Sequence, residues 1–353
     1  MLRVTLVGDF PPPQGGISVH VSQLLYFLKE AGVNAGVLDI GKGGHDTDDV
    51  TPVRGWLDYA RHVGHLAISD EIVHLHISGN NSKAFGVAGS LGASLAADAR
   101  RVVTIHSGLM PAFVKQSAQK RLLVRAALSG YHMVVAVSQA IADAVKSCGV
   151  DSARVMVHPA FIASQVRAGA LPPEFGAIRA RRQPLLSFAH HSAPVYGRTL
   201  MFAGLRELSH RYPNVGLAVF GPSTRTAEFE AAARAAGVTG LLENLGELPH
   251  AQTLAVIAAS DVFVRPTMAD GDSISVREAL TLNVPCVASD VCIRPHGTTT
   301  FKPQDVGSLC DAVGAALAKG PTVVPSVDAG PMMLKLYSRL ATKSSKGVSR
   351  AAS

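Results

Sequence analysis

Arg265-Pro266-Thr267-Met268-Ala269-Asp270-Gly271-Asp272-Ser273-Ile274-Ser275-Val276-Arg277-Glu278-Ala279-Leu280 is a polar, glycine-containing loop running into a helix pattern. Val262–Arg265 ahead of it and Pro285–Ala288 behind it read as strands, with Val276–Leu282 as the helix between them. Strand, loop, helix, strand is the building unit of a parallel sheet covered by helices. At the start of that helix, backbone N–H groups near Ser273, Ile274 and Ser275 suit a bound phosphate. Glu278 falls about one turn further in, where a carboxylate can accept hydrogen bonds from vicinal hydroxyls. On spacing alone, a capped helix with solvated acids explains the same residues equally well.

The same grammar extends in both directions. Around the loop, strands are expected at Pro184–Ala189, Gly216–Phe220 and Leu241–Leu245, and helices at Thr199–Tyr212, Thr226–Ala236, Ala251–Ala259 and Pro303–Ala318. Upstream, strands are expected at Arg3–Val7, Ala35–Leu38, Ile72–His76, Val102–His106, Met133–Val137 and Val155–His158, with helices at Ser18–Glu30 and Ser138–Ser147. Residues 169–184, rich in proline and arginine, read as a linker. The predicted fold is α/β: two doubly wound domains, 1–168 and 185–330, with a ligand in the cleft between them. Residues 331–353 hold a helix over Pro331–Lys343, free to pack back on the first domain, and a frayed tail.

Composition narrows the function. The chain has 353 residues, net charge +7, 47% hydrophobic and 17% charged residues, which excludes a disordered chain. Its four cysteines form no disulfide framework and no zinc-ligand spacing, so reduced buried thiols and a cytoplasmic setting are expected. Met1-Leu2-Arg3 leads straight into a strand rather than a secretory leader. The most apolar long stretch, Ala84–Ala97, is interrupted by Gly86, Gly89 and Gly92 and is too short to span a bilayer. Positive charge is spread without interleaved aromatics, so nucleic acid is not an expected partner. No G-x-G-x-x-G follows a strand, which disfavours a nicotinamide dinucleotide.

Other residues carry weaker signals. The first turn, Gly8 to Ser18, is stiffened by three prolines, and Gly15-Gly16 then open a helix, where backbone amides can approach an anion. His20 follows and is a candidate for the acceptor side. His74 and His76 alternate on a strand and share a face; a metal pair is one reading and core histidines the simpler one. His62 and His65 read as a helix surface. Leu109–Arg125 mixes apolar residues with Lys115, Lys120, Arg121 and Arg125 and suits either an anionic membrane surface or an ordinary helix with a solvated basic side.

The loop at 265–280, followed by Asn283-Val284-Pro285-Cys286-Val287-Ala288-Ser289-Asp290, closely resembles the signature of family-four retaining glycosyltransferases ("glycosyl transferases group 1") of the GT-B fold. Asp270 and Glu278 stand at the two acidic positions of the family's E-x7-E motif. Gly15-Gly16, His74-Leu75-His76, Thr104-Ile105-His106, Val135 to Ile141 and Tyr212-Pro213 with Val219-Phe220-Gly221 also match, so the likeness covers most of residues 1–320.

The resemblance implies a retaining, metal-independent transfer from a nucleoside-diphosphate sugar, UDP being the commonest nucleotide, with no cofactor. It implies Glu278 on the ribose, Ser273, Ile274 and Ser275 on the diphosphate, Asp270, Gly271 and Asp272 at the sugar end, and His106 near the reacting face. The implied acceptor is a glycan or lipid-diphosphate-linked oligosaccharide of bacterial polysaccharide synthesis, reached from the cytoplasmic side of a membrane. The chain departs from the family where an Arg and a Lys normally meet the leaving diphosphate: counting back from Gly197, His191 and Tyr196 stand there, and His190, His191 or Arg198 are the cations that could compensate. The family's P-N-G turn is His158-Pro159-Ala160, and the first acid is Asp rather than Glu. Two alternatives follow: a non-catalytic GT-B module that binds a nucleotide sugar or a partner transferase, and a nucleotide-sugar epimerase of the same fold.

Overall fold

The computed structural model describes residues 2–44, 46–94, 100–321, 323–325 and 327–348. The chain divides into two compact units, Met1–Gln165 with Val327–Ser353, and Val166–Ser326.

The first unit holds β1 (Arg3–Gly8), β2 (Asn34–Asp39), β3 (Val50–Pro52), β4 (Ile72–Ile77), β5 (Arg100–Ile105), β6 (Met133–Ala136) and β7 (Val155–Val157). They form a sheet of order β3-β2-β1-β4-β5-β6-β7, all named pairs parallel. The covering helices are α1 (Gly16–Glu30), α2 (Trp56–Ala67), α3 (Ser82–Ser94), α4 (Met110–Lys115), α5 (Ala118–Ser129) and α6 (Gln139–Ser147). β4 is buried at every position, as a strand must be when helices cover both faces.

The second unit holds α7 (Phe175–Arg181), β8 (Leu185–Ala189), α8 (Arg198–Arg211), β9 (Gly216–Phe220), α9 (Ala227–Ala235), β10 (Leu242–Gly246), α10 (His250–Ala258), β11 (Val262–Arg265), α11 (Ile274–Thr281), β12 (Cys286–Ser289), β13 (Thr299–Phe301) and α12 (Val306–Lys319). Its sheet runs β10-β9-β8-β11-β12-β13, again parallel. One core lies on each face: Leu186, Phe188, Phe202 and Leu309 on one, Leu185, Phe220, Phe263 and Val276 on the other. Local chemistry starts and ends the helices. Thr226 and Asp305 side chains accept from the amides of Phe229 and Ser308, and Gly320 at φ +69 ends α12.

The expected linker differs from the structure. Residues 169–184 lie inside the second unit and contain α7, whose Phe175 and Ile178 are buried against Leu185 and Phe220. The Gly169 amide also bonds Ala251 O at 2.8 Å. Proline and arginine content masked a one-sided helix. At the other end, residues 327–330 fall with the first unit rather than the second. There α13 (Ala329–Val348) buries Met333, Leu336, Tyr337 and Leu340 against Val4, Leu6 and Ile72. The tail beyond it, residues 349–353, and residues 95–97 of the Ala84–Ala97 stretch lie outside the described residues.

The basic segment Leu109–Arg125 also differs from the expectation of one amphipathic helix. It is two helices, α4 and α5, parted at Gln116 and Ser117, with Ser117 capping the second through the Lys120 amide. Met110, Phe113, Val114 and Val124 are buried in the core, and of the large apolar side chains there only Leu109 and Leu122 are exposed. Among the described residues no helix is long and apolar enough to cross a membrane.

Candidate donor site and a histidine cluster

In both sheets the chain reverses its direction of strand addition once. The reversal lies between β1 and β4 in one sheet and between β8 and β11 in the other. At such points the loops leaving two neighbouring strands part to opposite faces and open a crevice at their carboxyl ends.

In the second unit the two loops are the segment after β8, with His190, His191 and Tyr196, and the segment after β11, with Asp270 to Ser273. They meet closely. Met268 N donates to Val195 O at 2.8 Å. Gly197 has φ +76, and a Cβ there would lie 1.9 Å from Pro266 O, so only glycine fits this turn.

Asp270 is the centre of an ion cluster. Arg265 reaches its oxygens at 3.2 and 3.5 Å, Arg294 at 3.0 Å, and the Thr267 hydroxyl donates at 3.1 Å. Burial alone would push the Asp270 carboxyl up, but the two guanidinium charges outweigh it and hold its pKa below the usual range. Next to it, Asp272 takes Arg277 Nε at 2.8 Å on each oxygen; burial prevails there and its pKa is raised. Gly271 between them is buried.

α11 begins just beyond. Ser273 is its N-cap, yet its hydroxyl turns to that of Ser275 at 3.2 Å and caps no amide. The first-turn amides, starting with Ile274, therefore have no side-chain cap. Glu278, 3% exposed, meets His250 of α10, Nε2 to Oε1 2.8 Å.

The cations nominated from sequence are otherwise engaged. His191 stacks on Tyr196, centroids 4.8 Å apart, and burial, then the Arg265 charge, lowers its pKa. His190 packs against Phe188 and Phe229 and is pushed down to about 4, chiefly by burial. Arg198 pairs with Glu228 at 2.8 Å. Arg265, Arg294 and His250 are the residues that sequence reading passed over. The available signal was an arginine ending an otherwise apolar strand, β11.

In the first unit, His20, His76 and His106 form a nearly equilateral triangle of rings, with centroids 5.3, 5.4 and 5.5 Å apart. His76 Nδ1 lies 3.3 Å from His106 Nε2. His74 lies tilted against His76, centroids 4.1 Å apart, and is held by Thr104 Oγ1 at 2.7 Å and by the Tyr337 hydroxyl at 2.5 Å. Burial is the first cause lowering all four pKa values; His158 adds to it for His20, and repulsion from the other cluster members adds to it for His74, His76 and His106. Those of His20 and His74 fall to about 3, so the cluster is neutral near pH 7. Among the described residues, His76 Nε2 has no hydrogen-bond partner. A buried bare acceptor is better tolerated than a bare N–H, which favours His76 Nδ1–H donating to His106 and leaves the His106 proton on Nδ1.

The expectation that His20 faces an acceptor does not match its position: it is 2% exposed inside this triangle. Gly15 and Gly16 open α1 as expected, but the Gly15 amide bonds the Ser18 hydroxyl at 3.0 Å. Lys115 and Lys120 lie on α4 and α5 with Arg121 and Arg125, outside the cluster. Among the described residues no group of three His, Cys, Asp or Glu is set to hold a metal ion. The four cysteines are free thiols.

Two family models match in succession. Residues 14–165 match Glycosyltransferase Family 4, and residues 188–319 match Glycosyl transferases group 1. The chain belongs to the group 1 glycosyltransferase family. Solved structures agree on the fold. Anabaena HepE in complex with UDP and glucose has a TM-score of 0.71 at 15% identity, over 99% of this chain and 100% of that one. Sucrose-phosphate synthase from Thermosynechococcus elongatus has 0.70 at 15%, over 100% of each. The fold is GT-B. A 2-deoxystreptamine glucosyltransferase from Streptomyces kanamyceticus is 27% identical over 194 residues, 55% of this chain. The match spans 42% of that relative's length.

Proposed function

We propose that this group 1 family member is a retaining, metal-independent glycosyltransferase. It moves a sugar from a nucleoside-diphosphate sugar to a hydroxyl of a glycan or lipid-linked oligosaccharide in bacterial polysaccharide synthesis. The observation that carries the reading is the loop Asp270–Ser273 with uncapped α11, lying at the strand reversal between β8 and β11. Uncapped amides and a helix dipole suit a diphosphate without a metal ion. Glu278 takes the ribose hydroxyls, Ser273, Ile274 and Ser275 the phosphates, and Asp270 and Gly271 the sugar. UDP is the favoured nucleotide, a choice supported by the UDP of HepE, and a glucosyl donor is supported by the name of the Streptomyces relative.

The site of action is the cytoplasmic face of an anionic membrane. Net charge +7 supports this, as does the outer side of α2, where Trp56 (65% exposed), Leu57 (91%) and Ile68 (88%) flank Arg61 and His65. Lys115, Lys120, Arg121 and Arg125 add charge on α4 and α5.

Calorimetry with UDP, GDP, ADP and their sugar conjugates, with and without Mg²⁺, tests the reading, followed by turnover with lipid-linked acceptors. Selective binding of one nucleotide without Mg²⁺, and sugar transfer with the anomeric configuration kept, is the expected result. Binding with no transfer or hydrolysis would turn the reading to a non-catalytic module, and donor epimerisation without acceptor would turn it to an epimerase.

A further inference from the structure

Two arginines share one carboxylate at the end of β11, and they differ in what else they do. Arg294 has a side chain 3% exposed and uses all three nitrogens. Its Nε donates to Ser289 O at 2.9 Å, its Nη1 to Asp270 at 3.0 Å, and its Nη2 to the hydroxyls of Thr267 and Ser289 at 3.3 Å each. Arg265 turns only its Nε–Nη2 edge to Asp270, and more loosely. Its Nη1 makes no hydrogen bond among the described residues, and its side chain keeps 13% exposure.

Asp270 is thus matched by Arg294, and the Arg265 charge is in surplus. A guanidinium cannot shed its proton to relieve this. Withdrawn from water, such a charge is costly unless an anion answers it. Tyr196 covers it, the guanidinium carbon lying 5.0 Å from the ring centroid. An aromatic face stabilises and orients a cation without neutralising it. Arg198, the strong cation nearest by sequence, pairs instead with the exposed Glu228 at 2.8 Å.

We propose that Arg265 is the cation that binds the diphosphate of a nucleoside diphosphate here, with Asp270 and Tyr196 as its positioning residues. The proposal rests on the donor-site reading above. It transfers the role that the family gives to an Arg and a Lys near His191 and Tyr196 onto the neighbouring strand end. The planar fork of Arg265, beside the Tyr196 ring, suits two phosphate oxygens at once, which a lysine point charge does not.

The test is calorimetric binding of UDP, UMP, uridine and inorganic pyrophosphate to the full chain and to Arg265→Gln, Arg265→Lys and Tyr196→Leu. Charge-assisted hydrogen bonds of this kind predict a loss of about 10- to 150-fold in UDP affinity for Arg265→Gln, with uridine affinity unchanged. Arg265→Lys, which keeps a charge beside Asp270 and so protects folding, is expected to lose about 10-fold for UDP. Tyr196→Leu is expected to weaken UDP and pyrophosphate by a smaller factor and to leave uridine alone. A folded Arg265→Gln or Arg265→Lys protein with the parent's UDP-to-uridine ratio overturns the proposal. Pyrophosphate binding that depends on Arg265 without preference for any nucleotide supports the anion site while sinking the donor-site reading. Failure of the parent to bind pyrophosphate or any nucleotide overturns both.

Discussion

Nε2 of His250, at the start of α10, lies 2.8 Å from Oε1 of Glu278 on α11. Burial disfavours a charged imidazole, yet the Glu278 charge and hydrogen bond outweigh it and raise the His250 pKa. Glu278→Gln removes that support, so the His250 pKa is expected to fall, read by NMR titration. A nucleotide whose ribose meets Glu278 is expected to bind about 10- to 150-fold more weakly to the variant. Unchanged nucleotide affinity in a folded variant would remove Glu278 from the site. The stabilisation carried by the pair is fully present below pH about 6.5 and is lost as pH rises through the raised pKa.

The four neutral histidines of the first unit act in the opposite sense. Their folded pKa values are depressed, so their contribution is fully present above the unfolded value of about 6.5 and is lost as pH falls toward the folded values, about 3 for His20 and His74. Urea unfolding between pH 7.5 and 5 is expected to show stability dropping with acid, by up to about 1.4 kcal/mol per pH unit for each histidine. His20→Gln should shallow the slope. A flat profile in the parent protein would mean that the histidines take up protons in the folded state as they do in the unfolded chain.

Tyr337→Phe takes away a hydroxyl 2.5 Å from His74 Nδ1 and leaves that nitrogen unpaired in the core. A loss of about 1–3 kcal/mol is expected, measured as a shift in the urea midpoint of the first unit. No shift would show that α13 is held by its apolar side alone.

Gly197→Ala forces a Cβ against Pro266 O and keeps φ at +76. Destabilisation by about 2 kcal/mol or more is expected, together with weaker nucleotide binding as the two loops part. Parent-like stability and binding would mean that the turn yields without cost.

Leu57→Ser with Trp56→Ser on α2 changes exposed residues, so stability is expected to hold within about 0.5 kcal/mol. Sedimentation with vesicles containing anionic lipid is expected to fall, and to fall further at high salt or when Lys115, Lys120, Arg121 and Arg125 become Gln. Equal sedimentation of parent and variants would sink the membrane assignment.

Much of the fold was legible in local pattern. Strands such as Gly216–Phe220 and Val262–Arg265 match the expectation residue for residue, because fully buried parallel strands are short unbroken apolar runs. The missed strands, β3 and β13, have three residues each and sit at or beside sheet edges, where burial is partial and the apolar signal weak. α3 was obscured by Gly86, Gly89 and Gly92. Gly89 and Gly92 pack on Ala127 and Tyr131 of the α5 region, so close helix packing overrides their poor helix propensity. In the site, the loop Asp270–Glu278 was legible, but its partners were not.

By itself the sequence determined the alternation of strands and helices and the chemistry of the loop before α11, because both depend on residues within a turn or two of each other. Only the tertiary structure decided that Asp270 is clamped by Arg294 as well as Arg265, and that Tyr337 closes on His74 across 263 residues of chain. A carboxylate or an imidazole takes whichever partner the sheet order brings within about 3 Å, and sheet order is fixed by long-range packing rather than by neighbours in sequence.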